Sequence, residues 1–348
     1  MKWSELLLDW YAEHRRDFPW RKTNNPYHIW LCEIILQQTR TQQGLPYYQR
    51  FIQTYPTVEE LANAPLERVL KLWQGLGYYS RARNLHETAQ VIRDRYHGQF
   101  PNTFEELLSL KGVGDYTASA IGSICFGLRQ AVVDGNVYRV LSRFLGDPFP
   151  IDHHKALPYF KEKAFELMGK SDPAEFNQAI MEFGALHCTP KQPQCHSCPF
   201  QNNCVAHQTQ KVLDFPQKKN RVKIRKRYFH YLVLNQGFVN TLLQKRTQKD
   251  IWEGLYEFPL LEKDSSQKPS PEDWNPLLLQ LHLDSNQIPK KPQKSIQHKL
   301  SHQILHIHFW VVSPTNHTNQ LQNPLDPEAY PLPVPILNFV QEYFHSTQ

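Results

Sequence analysis

The chain has 348 residues, of which 40% are hydrophobic, and its formal net charge is +6. One hydrophobic core rarely serves a chain of this length, so two domains are expected. No apolar run approaches the roughly 20 residues of a transmembrane helix. The first ten residues contain acids and lack the cleavage pattern of a signal peptide. We therefore expect a folded, monomeric, cytoplasmic protein that does not enter a membrane.

The pattern of residues 1–186 predicts an all-helical domain with short connections. A proline-led helix is expected from Pro26 through Glu33, because proline suits the first helical turn. The other helices are expected over residues 1–14, 43–53, 58–62, 66–73, 80–96, 103–110, 115–127, 136–145, 153–168 and 173–186.

A single acid lies inside the helix that Pro26 leads. Glu33 follows the apolar run Ile29–Cys32 and precedes Ile34–Leu36. A helix this apolar is largely buried, and burial disfavours the charged form of a carboxyl group. A raised pKa is what a general acid near neutral pH needs. The alternative is a structural glutamate that is paired with an arginine or capped by backbone donors.

Two closely spaced glycines separate helical patterns in the segment Leu107–Ala118. Gly112 and Gly114 permit backbone conformations that other residues resist, and N–H groups at the start of the next helix can hold a phosphate. This pattern is typical of a helix–hairpin–helix DNA-binding element, here near residues 107–127. The alternative is an ordinary corner between two helices.

A second acid, Asp134, precedes the helix that is predicted at 136–145. Its ordinary role would be that of an N-cap. A carboxylate aimed at a cationic reaction centre is the functional interpretation. Both can hold together, since hydrogen bonds from the cap keep a carboxylate ionised.

Four of the six cysteines fall within 17 residues, at Cys188, Cys195, Cys198 and Cys204. A zinc ribbon usually offers two close cysteine pairs, whereas this loop has only one. Four thiols in one short loop favour a 4Fe–4S cluster over zinc.

The composition changes after Cys204. Residues 205–226 are rich in lysine and glutamine and are expected to form a basic linker. Seven of the ten residues in Lys218–Arg227 are basic, which suits either a polyanion-binding surface or a solvated linker.

Residues 227–348 predict a smaller α+β domain. Strands are expected at 228–234, at 238–243 after a hairpin turn at 235–237, and around 305–311. In the last strand Leu305, Ile307, Phe309 and Val311 should form the buried face. A loop is expected at 263–275.

The glycine hairpin, the Asp134 segment and the four-cysteine loop, in this order, resemble the endonuclease III superfamily of DNA glycosylases, and the match spans residues 1–204. Within this match, Leu36–Thr39, Gly75–Ser80 and Val133–Val137 resemble the MutY adenine DNA glycosylases.

The C-terminal segments Trp252–Pro259 and Leu300–His302 resemble the Nudix-like domain of the same family. The acidic box of true Nudix hydrolases is missing from the sequence. This domain is therefore expected to bind rather than to hydrolyse.

The resemblance implies a monofunctional glycosylase of base excision repair. It would remove adenine mispaired with 8-oxoguanine or G in duplex DNA by hydrolysing the N-glycosidic bond. Glu33 would protonate adenine at N7 and then activate water, and Asp134, Tyr116 and Asn136 would stabilise the oxocarbenium-like sugar. In a bacterial source the enzyme would work at the nucleoid.

The resemblance also implies a set of DNA-contacting residues in the base pocket, the wedge beside the lesion, the hairpin and the C-terminal loop. They are Trp20, Arg21, Gln38, Tyr78, Lys111, Gly112, Gly114, Ser301 and His302.

Three positions depart from relatives. Tyr116 stands where bifunctional members carry a Schiff-base lysine; Lys111 replaces the usual hairpin proline; Leu300 replaces the usual phenylalanine. Three other interpretations stay open: a bifunctional glycosylase/lyase for oxidised pyrimidines, a non-catalytic iron–sulfur DNA-binding protein, and a Nudix-type nucleotide hydrolase.

Overall fold

The computed structural model describes residues 2–219, 224–234, 241–312, 326 and 329–345. The chain forms two compact units, Met1–Asn63 with Asn84–Asn220 and Ala64–Arg83 with Arg221–Gln348. The bounds 1–204, 205–226 and 227–348 for two domains and a linker stay a prediction. The hairpin turn expected at 235–237 and the first half of the strand after it lie outside the described residues. In the described ranges, no helix is long and apolar enough to cross a membrane.

The helices predicted for residues 1–186 are confirmed, with bounds that differ by a few residues at most. In chain order, the helices of the molecule are α1 (Trp3–His14), α2 (Pro26–Leu36), α3 (Thr41–Thr54), α4 (Val58–Asn63), α5 (Leu66–Trp73), α6 (Ser80–Tyr96), α7 (Phe104–Ser109), α8 (Asp115–Phe126), α9 (Gly135–Leu145), α10 (Ala156–Met168), α11 (Pro173–Leu186), α12 (Val205–Gln208), α13 (Pro271–Leu281) and α14 (Val334–His345).

Helix α2 is apolar on every side and lies inside the first unit. The Asn25 side chain caps it by accepting the Tyr27 N–H at 2.9 Å, and Pro26 occupies the first turn. The helix packs against α3 and α8. This packing buries most of the residues on either side of the acid on α2.

A buried asparagine ties the loop before α9 to its neighbours. The amide oxygen of Asn177 on α11 accepts the Val132 N–H at 3.0 Å, and its amide nitrogen donates to Ser123 Oγ at 3.0 Å and to the Gln130 carbonyl at 2.8 Å. Asn177 is fully buried. Its three hydrogen bonds fix the chain two residues before Asp134.

The second unit contains a four-stranded sheet in the order β4-β1-β6-β5, in which β1 and β6 are parallel and the other pairs antiparallel. The strands are β1 (Arg225–Leu234), β2 (Gln244–Lys245), β3 (Tyr256–Glu257), β4 (Leu260–Lys263), β5 (Lys294–Lys299) and β6 (Gln303–Val312), with β2 and β3 forming a separate pair. One face of the sheet packs against α14, where Phe309 stacks on Phe339 at 4.0 Å.

The loop expected at 263–275 is wrong in its second half, because α13 begins at Pro271. Ser270 and Asp273 form a reciprocal capping box, and Pro271 takes the first helical position. This start signal was present in the sequence.

The expected alternation on β6 is confirmed for Leu305, Ile307 and Phe309 and is wrong for Val311. Trp310 and Val312 are buried, whereas Val311 is only partly buried. Trp310 packs in a cluster with Trp274 and Leu278 of α13. Because the sheet is covered on both faces at this end, strict alternation breaks down.

The basic segment Lys218–Arg227 ends in a side chain that is not available to a polyanion. Arg227 is 4% exposed and pairs with Asp250 and Glu262, each at 2.6 Å. This arginine is therefore a buried part of the second unit.

Candidate active site

A pocket of about 210 Å³ lies in the first unit, between the N-terminal segment and helices α2, α8, α9 and α11. It brings together six of the residues that the sequence singled out, although they are far apart along the chain. They are Trp20, Arg21, Glu33, Tyr116, Asp134 and Asn136.

Glu33 projects from α2 into this pocket. Burial raises the pKa of its carboxyl group to about 7; a hydrogen bond from the Tyr116 hydroxyl opposes this shift, and the nearby charge of Asp134 adds to it. A carboxyl group with this pKa is still substantially protonated at neutral pH. It can therefore donate a proton.

Asp134 caps α9 from the other side of the pocket. Its Oδ1 accepts the N–H groups of Asn136 and Val137, both at 2.8 Å, and its Oδ2 accepts the Asn136 side-chain amide at 2.8 Å. Burial raises the pKa of Asp134, and these three donors act against that shift. The two carboxyl groups of the pocket thus have different surroundings.

Contacts with Arg139 and Gly184 fix the position of Asn136. Arg139 donates to Asn136 Oδ1 at 2.9 Å, to the Gly184 carbonyl at 2.6 Å and to the Cys188 carbonyl at 2.8 Å. A Cβ atom at Gly184 would lie 2.7 Å from the Asn136 Cβ, so α9 and α11 can approach this closely only because that residue is glycine. A continuous hydrogen-bonded path therefore joins Cys188 to Asp134.

An ion-pair cluster at the pocket wall was not predicted from the sequence. Glu182 is 2% exposed and accepts hydrogen bonds from Arg16 and Arg21. Burial alone would raise the pKa of Glu182, but these bonds lower it to about 2. The available signal was an acid inside the apolar α11, the pattern that identified Glu33.

Trp20 and Arg21 are both placed in the pocket lining. The Trp20 ring stacks on Phe18 with centroids 4.8 Å apart. Arg21 directs its guanidinium to Glu182, which fixes the orientation of its side chain.

The glycine hairpin lies between α7 and α8, and its residues are not among those lining the pocket. Gly112 has a φ of 78°, in the region that favours glycine, and Gly114 is the N-cap residue of α8. Lys111 is exposed at the same turn. Gln38 is also exposed, just beyond the end of α2, with a φ of 54°.

The remaining predicted residues lie in the second unit. Tyr78 is 43% exposed and its hydroxyl contacts the hydroxyl of Ser301. Ser301 and His302 are exposed in the turn between β5 and β6, and Arg225 N–H donates to the His302 carbonyl at 3.0 Å. The structure therefore brings Tyr78 and this turn together.

The comparisons with known proteins agree with this arrangement. Residues 31–157 match the HhH-GPD superfamily base excision DNA repair protein model, and residues 230–342 match the NUDIX domain model. The chain is 31% identical to the adenine DNA glycosylase of Buchnera aphidicola subsp. Baizongia pistaciae, over 97% of this chain and 95% of that one. It is 35% identical to that of Homo sapiens, over 75% of this chain and 58% of the human chain.

The chain belongs to the adenine DNA glycosylase family.

Solved structures agree with the fold of this family member. A thermostable thymine-DNA glycosylase is 32% identical, with a TM-score of 0.55 over 59% of this chain and 95% of that one. An endonuclease III–DNA complex is 24% identical, with a TM-score of 0.52 over 60% and 94%. Helix–hairpin–helix glycosylases are therefore the structural neighbours of the helical part.

The four cysteines of this adenine DNA glycosylase family member line one cavity next to Arg143. The Arg143 guanidinium donates to Cys188 Sγ at 3.4 Å and to the Thr189 carbonyl at 2.7 Å. Within the described residues, no three of the His, Cys, Asp and Glu side chains converge closely enough to hold a single metal ion. The donor set is four thiols with one cation beside them, which suits a cluster of irons that each take one thiolate.

The raised pKa of Glu33 predicts an effect on stability that does not depend on activity. The pKa of Glu33 is about 7 in the folded protein, against an ordinary value of 4.5. Protonation of Glu33 therefore stabilises the folded wild type fully below pH 4.5, and this stabilisation is lost as the pH rises through 7. Glu33→Gln has no such loss. We therefore compare the melting temperature of the variant minus that of wild type at two pH values. We expect this difference to be roughly 5–10 °C larger at pH 8 than at pH 5.

Differential scanning fluorimetry at both pH values measures this difference. Glu13→Gln, at an exposed position on α1, is the control and should show no comparable change. A difference between Glu33→Gln and wild type that stays the same at pH 5 and pH 8 would contradict a raised pKa.

Proposed function

We propose that this family member excises adenine opposite 8-oxoguanine, or opposite G, with Glu33 as the proton donor. Membership of the family gives the reaction class: a DNA glycosylase of base excision repair that hydrolyses the N-glycosidic bond of adenine. The observation that carries the assignment of residues is the pairing of Glu33, whose pKa is about 7, with the hydrogen-bonded Asp134 in one pocket.

The reaction begins with a base outside the duplex, because the glycosidic bond cannot be reached within the stack. The flipped adenine enters the pocket, where Trp20 offers an aromatic surface and Arg21, anchored by Glu182, offers a fixed cation. The protonated Glu33 then donates to N7 of adenine. Protonation turns the base into a better leaving group, and the bond to C1′ breaks.

The positive charge that develops on the sugar needs a nearby anion. Asp134 supplies it, since three hydrogen-bond donors favour its ionised form and hold it in one orientation. The Glu33 carboxylate, having lost its proton, accepts a proton from the attacking water. This division of labour between a neutral and an ionised carboxyl group is the one that glycoside hydrolysis uses.

Tyr116 makes the enzyme monofunctional. Its hydroxyl lines the same pocket as Glu33 and donates to Met181 Sδ at 3.3 Å, where a bifunctional enzyme would need an amine to form a Schiff base with the sugar. The products are therefore free adenine and an abasic site, and the DNA strand stays intact.

Single-turnover excision on a duplex with adenine opposite 8-oxoguanine tests this assignment. We expect Glu33→Gln to lower the rate of adenine release at least about a thousandfold, because it removes the general acid. Binding of the same duplex should change less than about threefold, since the amide keeps the shape of the side chain. Glu13→Gln is the matched control and should cleave normally.

Asp134→Asn should also be strongly impaired while its cap hydrogen bonds are largely retained. Wild-type rates for Glu33→Gln would refute its role as the acid. Wild-type rates for Asp134→Asn would reduce Asp134 to a helix cap.

The opposite base is assigned to the turn of the second unit. Ser301 and His302 are exposed in that turn, Tyr78 is exposed beside it, and each of the three offers a hydrogen-bonding group to a base edge. 8-Oxoguanine differs from guanine in its C8 oxygen and its N7 proton, so one donor and one acceptor suffice to distinguish them.

The double variant Ser301→Ala, His302→Ala should lose its preference for the opposite base but keep its ability to release adenine. We expect the binding preference for adenine opposite 8-oxoguanine over adenine opposite G to fall about 5- to 100-fold, the equivalent of one or two hydrogen bonds. Fluorescence anisotropy with the two duplexes measures the preference, and Ser285→Ala at another exposed turn is the control. An equal loss of affinity for both duplexes would contradict a role in reading the opposite base.

A 4Fe–4S cluster is proposed for the loop between α11 and α12. Cys188, Cys195, Cys198 and Cys204 would hold it, and the hydrogen bond from Arg143 to the Cys188 sulfur would stabilise the ligating thiolate. When bound, the cluster cross-links a loop that has little regular structure of its own.

Protein purified without air should be yellow-brown, with absorbance near ~400 nm and about four irons per chain. Cys198→Ser should lose colour and iron, whereas Cys125→Ser, outside the loop, should keep both. A colourless wild-type protein with one zinc per chain would contradict the cluster.

A further inference from the structure

Helix α6 fixes the position of the glycine hairpin through contacts between uncharged groups. Thr88 is fully buried, and its hydroxyl donates to the Lys111 carbonyl at 2.8 Å. A Cβ atom at Gly112 would lie 2.9 Å from the Asn84 Cβ, so the hairpin backbone rests directly on the helix. These contacts hold the hairpin at Lys111 and Gly112 without using any charged group.

The same face of α6 carries an acid that pairs with the hairpin lysine. Residues 84, 87 and 88 are three and four positions apart, so their side chains project from one face. The Glu87 carboxylate forms an ion pair with Lys111 Nζ, and the two side chains are 51% and 55% exposed. Exposed pairs of this kind add little to folding stability. Because Thr88 and Asn84 already hold the hairpin, the ion pair is not needed for the fold.

This ion pair stands at the element that would grip the DNA backbone. A phosphate that approaches Lys111 competes with the Glu87 carboxylate for the ammonium group, and Glu87 also repels that phosphate. Because Lys111 carries a positive charge at this turn, the neighbouring acid competes directly with a phosphate.

We propose that Glu87 is an internal competitor of the DNA phosphate for Lys111, which weakens binding to duplex DNA regardless of sequence. This inference rests on the proposed function only in taking duplex DNA as the ligand. Phosphate contacts carry no sequence information, so the effect is the same on damaged and undamaged DNA. It allows the enzyme to leave duplex DNA more quickly, whether or not that DNA contains a lesion.

The test measures the affinity of the full-length protein for an undamaged duplex and for a duplex with adenine opposite 8-oxoguanine, over a range of KCl concentrations. Glu87→Gln should tighten binding to both duplexes about two- to fivefold at low salt, the range for one exposed charge pair. The plot of log affinity against log salt should steepen by up to about one, because Lys111 then releases a counterion without Glu87 taking one up.

Two controls isolate the competition. In a Lys111→Met background, Glu87→Gln should no longer tighten binding, which a double-mutant cycle expresses as a coupling between the two residues. Glu166→Gln removes the same charge from another exposed pair, Lys163–Glu166 on α10, and should tighten binding less. The melting temperature of Glu87→Gln should match that of wild type.

Three results would overturn the proposal. They are unchanged or weaker DNA binding by Glu87→Gln, equal tightening in the Lys111→Met background, and tightening no greater than that of Glu166→Gln. A protein that fails to release adenine would refute the proposed function but would leave these binding results interpretable.

Discussion

Burial of one carboxyl group in α2 is the constraint on which the rest of the site depends. A charged Glu33 would be costly in a helix that is apolar on every side, so the group holds its proton to about pH 7. That burial in turn requires α2 to pack between α3 and α8. The packing that stabilises the first unit therefore also raises the pKa of the Glu33 carboxyl group.

The other carboxyl group, Asp134, is buried as well, and burial raises its pKa, but hydrogen bonds act against that shift. Asp134 accepts three of them, two from the backbone of α9 and one from Asn136, and Arg139 holds Asn136 from behind. Because Gly184 has no side chain, α11 can pack closely against α9 at Asn136. Because Arg139 also bonds the Cys188 carbonyl, the cysteine loop and the pocket share one network. A loop that looks remote in sequence therefore supports the geometry of the reacting groups.

Much of this could be predicted from sequence, and the failures have physical causes. Helices of the first unit have strong apolar periodicity, and Glu33 and Asp134 stood out as acids in unusual surroundings. The Glu182 cluster with Arg16 and Arg21 was missed because its partners are more than 160 residues apart, and no local pattern encodes such a pairing. Val311 was misjudged because packing on both faces of a sheet cancels the alternation that a one-sided sheet shows.

The pH dependence of single-turnover adenine release tests whether Glu33 acts in its protonated form. Enzyme in saturating excess over the duplex keeps binding from limiting the rate. Because the pKa of Glu33 is about 7, the rate should change little from pH 5.5 to about 7 and then fall about tenfold for each further pH unit, as the donor loses its proton. A rate that stays constant, or rises, between pH 7 and pH 9 would refute a protonated Glu33 as the donor.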